Sequence, residues 1–115
     1  MEIQDATDLA PRLRALLECL PAEQLPITYQ QAAEALGLSP PRTIQRVALG
    51  LEALMREDVA AGRPLIAALV ISRRGDMPRQ GFFELAVELG RLPADPAEHE
   101  AAYREELEAL LGEKR

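Results

Sequence analysis

The sequence predicts a mainly α-helical domain with a small β wing, arranged as a winged helix-turn-helix, and three observations carry that expectation. Leucines recur at helical spacing near the N-terminus. A capped, glycine-stopped, recapped stretch, "ITYQQAAEALGLSPPRTIQRV", runs from Ile27 to Val47. A β-branched apolar run with a basic turn, "LIAALVISRRGDMPRQG", covers 65–81. At 115 residues the chain fits one domain with one core. Ala and Leu dominate its apolar fraction and only 3% of residues are aromatic, a helical composition with few bulky anchors.

The elements follow in order. Thr7 or Asp8 caps a first helix over 8–20, with Pro11 in its opening turn and Leu9, Leu13, Leu16, Leu17 and Leu20 on one stripe. Cys19 lies beside that stripe, as a half-buried structural thiol would. The helix-turn-helix is expected over 28–59. Thr28 and Gln31 form a capping box, Gly37 ends the helix they open, and Ser39 caps the next with Pro40 at its first position. In that second helix a rotation of roughly 100° per residue puts Ile44, Val47, Leu51, Leu54, Met55 and Val59 inward. Arg42, Gln45, Arg46, Leu49 and Arg56 fall outward. Residues 65–81 give the wing, a strand over Leu65–Ser72 followed by the Gly75-Asp76 turn. A short helix over 82–90 brings the two phenylalanines, Phe82 and Phe83, as core anchors. A last, acidic helix over 96–111 is capped by Asp95 with Pro96 and Glu98, and carries Tyr103, Leu107, Leu110 and Leu111 as an apolar stripe.

Net charge is −6, which for DNA is the wrong sign, yet its distribution matters more than its total. Residues 1–41 carry −4, residues 42–81 carry +3 and residues 82–115 carry −5. The only positive segment is the one that follows the helix-turn-helix turn. No apolar run approaches the ~20 residues of a membrane span. The acidic N-terminus does not read as a targeting segment, and a lone cysteine makes no internal disulfide. These features predict a cytoplasmic protein with no membrane partner.

"ITYQQAAEALG" resembles the start of the DNA-binding half of alkylguanine-DNA alkyltransferases and alkyltransferase-like proteins. Thr28-Tyr29-Gln30-Gln31-Ala32-Ala33 matches their Ser/Thr-Tyr-Gly/Gln-x-(Ile/Leu)-Ala pattern with alanine, Ala32, at the Ile/Leu position, and Pro41 followed by Arg46-Val47 is similar to their proline and Arg-Ala-Val run. The resemblance implies that Tyr29 helps rotate a nucleotide out of the duplex and that Arg46 enters the vacated stack from the minor groove. A planar guanidinium is suited to filling such a gap. Where the family has Pro-Cys-His-Arg, this chain aligns Ile66, Ala67, Ala68 and Leu69. Ala67 stands at the cysteine position, so the thiolate nucleophile is missing.

The functional expectation is therefore a noncatalytic protein that binds duplex DNA and recognises damaged or extrahelical bases. Its candidate DNA-binding residues are Tyr29, Arg42, Thr43, Gln45, Arg46, Arg73 and Arg74, with no metal or cofactor. The alternative is a winged-helix protein-interaction or regulatory module, using the Leu49 face or the acidic C-terminal helix to hold another protein. An enzyme fits least. No glycine-rich loop precedes Ser72-Arg73-Arg74, no metal-ligand spacing occurs, and the lone His99, expected to be solvated, cannot build a triad.

Overall fold

A computed structural model of the chain describes residues 6–73 and 75–114, and is mainly helical with a small two-stranded sheet. Helix α1 spans Ala6–Cys19, α2 Tyr29–Ala35, α3 Thr43–Ala61, α4 Gln80–Glu88 and α5 His99–Glu113. Strands β1 (Ile27–Thr28) and β2 (Val70–Ile71) pair in parallel, Ile27 opposite Val70 and Thr28 opposite Ile71.

Helix α1 begins earlier than its sequence signals suggest. Thr7 and Asp8 lie within the helix rather than capping it, and Pro11 sits inside rather than in the first turn. Leu9, Leu13 and Leu17 are buried and Leu16 is half-buried, as the stripe requires. Cys19 is exposed. Two positions beyond Leu17 is about 200° of rotation, so its thiol turns away from the core. Helix α1 lies against α3 where Gly50 leaves room: a Cβ there would stand 2.7 Å from Leu13 Cδ1.

The capping box forms as its spacing demands. Gln31 N–H donates to Thr28 Oγ1 at 3.1 Å, and Thr28 N–H donates to Gln31 Oε1 at 2.9 Å. Gly37, at φ +72°, ends α2. Leu38 N–H reaches Ala33 O and Gly37 N–H reaches Glu34 O, both at 3.0 Å, the paired bonds of a left-handed helix stop.

Helix α3, however, starts at Thr43 and not just after Ser39. Residues that precede a proline are pushed out of the helical region, and here Pro40 precedes Pro41. The connection therefore runs over residues 36–42, longer than the two- or three-residue break the caps suggested. Arg42 closes it at φ +63°. Val47, Leu51, Leu54 and Met55 are buried, Ile44 and Val59 half-buried, and Gly62 terminates the helix at φ +69°.

The segment expected as a strand over Leu65–Ser72 is mostly something else. Ile66–Leu69 form a 3₁₀ turn, and only Val70–Ile71 pair as a strand. The strand has no antiparallel return among the described residues; its neighbour is β1, in parallel. Periodicity cannot separate a buried turn from a buried strand in so short an apolar run. The loop after β2 is closed by Ser72 N–H donating to Met77 O at 2.8 Å.

Phe82, Phe83 and Tyr103 meet edge to face in the core, and Tyr103 Oη donates to Ala68 O at 2.9 Å. His99 is half-buried and not freely solvated: its ring stacks on Phe83 at 5.4 Å and its Nε2 lies 2.8 Å from Pro93 O. Asp95 Oδ1 accepts from Ala97 N–H, but the capped turn at Pro96–Glu98 is 3₁₀ and α5 proper follows it.

One buried charge ties these parts together. Asp58 is fully buried. Its Oδ1 meets Arg14 Nη2 of α1 and Arg63 Nε, each at 3.0 Å, and its Oδ2 accepts from Ile66 N–H at 3.0 Å. Asp58→Ala strips partners from Arg14 and from a buried amide, and should cost about 3 kcal/mol in urea unfolding. Arg63→Ala, whose side chain is half exposed, should cost less than about 1 kcal/mol in the same assay.

Candidate functional site

Because Thr28 caps α2, Tyr29 is the first helical residue, and its ring turns inward. Its hydroxyl accepts a hydrogen bond from the Arg79 backbone N–H at 2.9 Å. The Arg79 guanidinium lies over the same ring, 5.8 Å from its centroid. The start of α2 is thereby joined to the residue just before α4.

This junction separates two depressions. The first is a cleft of about 330 Å³, at the small end of the range for ligand pockets. One wall is a stripe of α3, Gln45, Leu49 and Glu52, spaced by four and three residues. The other is the opening of α4, Gln80 to Phe82. Tyr29 and Ala67 line it between the walls. The second is a groove of about 260 Å³ lined by Gln30, Ile44, Ser72 and Arg73. Tyr29 and Arg79 line both.

The residues singled out from sequence are distributed unevenly over this surface. Tyr29 and Gln45 line the cleft, and Tyr29 and Arg73 line the groove. Arg42 and Thr43 open α3 next to Ile44, which lines the groove. Arg46 is half-buried, with Nη1 3.4 Å from Ser39 O, a long contact that holds it weakly against the turn. Arg74 lies outside the described residues. The positive segment is thus divided: Arg63 is committed to Asp58, while Arg73 and Arg79 line one groove with Ile44 of the first turn of α3.

Two functional candidates had no distinct sequence signal. Arg79 read as one more basic residue of a turn, and only the Tyr29 contact marks it. Glu52 falls seven residues after Gln45, a spacing that does put both on one helix face. Leu49, between them, is 46% exposed, the one large exposed hydrophobic among the described residues. Chemically, the cleft can hold a planar ring beside Phe82 and Tyr29 and offer it an acceptor. The groove can hold an anion.

Among the described residues no group of His, Cys, Asp and Glu side chains could hold a metal ion, and no helix is long and apolar enough to cross a membrane. No protein-family model, curated protein or solved structure matches the chain.

Both tyrosines hold their protons tightly. Burial raises the Tyr29 phenol above its ordinary value, and burial pushes Tyr103 up to about 12. The folded state therefore keeps protons that the unfolded state releases above pH about 10. Stability contributed by these groups is complete below that pH and is lost as pH rises toward 12. Urea midpoints should fall across this alkaline window, and Tyr103→Phe should remove a large part of the fall.

Proposed function

We propose that the chain is a noncatalytic, cytoplasmic DNA-binding protein of winged helix-turn-helix type, similar to the alkyltransferase-like proteins in taking up an extrahelical base without repairing it, and that its cleft receives that base. One observation carries the reading. Tyr29 and Ala67, which the sequence resemblance singled out separately as the nucleotide-rotating and alkyl-accepting positions, line one cleft together with Gln45 of α3.

The physical arrangement is consistent with that role. A nucleotide turned out of a duplex needs a ring-sized recess for its base and cations for its flanking phosphates. The cleft offers the first. Arg73 and Arg79, in the adjoining groove, offer the second. Arg46 stands at the start of α3 on a weak tether, and a small rearrangement would free it to fill the gap left in the stack. With alanine at position 67 the cleft binds and releases without transferring an alkyl group.

A second reading has one observation in its favour. Exposed Leu49 on the cleft rim suits an apolar side chain of a protein partner as well as a base. The salt dependence of binding separates the two.

Fluorescence anisotropy of a labelled duplex should show affinity falling with salt, at a log–log slope of roughly −0.9 per phosphate contact. Arg73→Ala and Arg79→Ala should each flatten that slope by about one contact. Arg46→Ala should weaken a duplex with an unstable base pair more than a fully paired one. Absence of salt-sensitive binding to any duplex would sink the DNA reading in favour of a protein partner.

A further inference from the structure

The cleft contains a carboxylate that phosphate binding does not use. Glu52 lines its α3 wall, with Oε2 3.9 Å from the point where a Gly81 side chain would begin. It makes no hydrogen bond or ion pair with any described residue. Its charge reaches Tyr29, where it adds to burial in holding the phenol protonated.

An ionised carboxylate only accepts hydrogen bonds, and shielding it from water is costly unless the incoming ligand brings donors. It also repels phosphate. A nucleotide bound there is therefore oriented, with its phosphates toward Arg73 in the groove, Arg79 at the junction of groove and cleft, and the hydrogen-bonding edge of its base toward Glu52.

The four bases differ in what they present there. Guanine alone carries two adjacent donors, N1–H and the N2 amino group, which match the two oxygens of a carboxylate. Adenine and cytosine place a ring acceptor beside their amino group, and thymine flanks one N–H with two carbonyls. We propose that Glu52 makes the cleft selective for a guanine edge that retains its N1 proton, an inference that rests on the DNA reading above. Alkylation at O6 removes that proton and turns N1 into an acceptor facing the carboxylate. The cleft then discriminates against O6-alkylguanine and in favour of guanines that are mispaired or altered elsewhere.

The test compares two duplexes that differ at one position, guanine opposite thymine and O6-methylguanine opposite thymine, both weak pairs. Anisotropy is measured at low salt with the wild type, Glu52→Gln and Glu52→Ala, and thermal melts establish that the variants fold. The wild type should prefer the guanine duplex by about tenfold, the worth of one good paired contact to a base edge. Glu52→Gln should invert the preference, because an amide offers one donor to N1 and one acceptor to the N2 amino group. Glu52→Ala should abolish the preference without inverting it. Equal binding of both duplexes by the wild type, or one preference shared by all three proteins, would overturn the role of Glu52 and leave DNA binding intact. Salt-insensitive or absent binding to every duplex would overturn the DNA reading itself, and this inference with it.

Discussion

The Asp58 carboxylate is the contact on which the rest of the molecule hangs. It is the one buried charge among the described residues, and three separate pieces of chain converge on it: α1 through Arg14, the chain past Gly62 through Arg63, and the following 3₁₀ turn through Ile66 N–H. Burying a carboxylate is unfavourable by itself, and only a full set of donors offsets it. Meeting that demand fixes where the chain turns after α3. It is this turn that carries Ala67 under the cleft and lets β2 run beside β1. A charge on one side of α3 thereby determines the cleft on another.

The second constraint is the junction of Tyr29 with Arg79. A hydrogen bond and a ring-cation contact hold the beginnings of α2 and α4 together, and the cleft and groove exist because those beginnings are close. The division of chemistry is partial: Glu52 and Phe82 line the cleft alone, Arg73 lines the groove alone, and Tyr29 and Arg79 line both. The nucleotide proposed as ligand carries its base and its phosphates at opposite ends, so it would enter one way round.

What the sequence revealed depended on how local each signal was. The Thr28–Gln31 box and the Gly37 stop involve residues a few positions apart, and both were legible. The Pro40-Pro41 pair was equally local, but the cap signal at Ser39 masked the steric rule that delays α3. The strand expected from Leu65 failed because an apolar run says that residues are buried and not how they are coiled. Asp58 carries no such local signal: Arg63 and the Ile66 amide follow it within eight residues, but its third partner, Arg14, comes from α1. In the candidate site, Tyr29 and Gln45 could be picked out from pattern. Arg79 and Glu52 could not, because their significance comes from elements that meet only in the folded molecule.

Gly50 has a wider consequence. It lies on the back of α3, where α1 presses so closely that no side chain fits without displacing Leu13. At that contact the helix is seated by an absence, and Gln45, Leu49 and Glu52 lie on the cleft side, away from it. Replacements on that side leave the Gly50 contact untouched, which makes α3 a natural starting point for building a new binding surface on this fold.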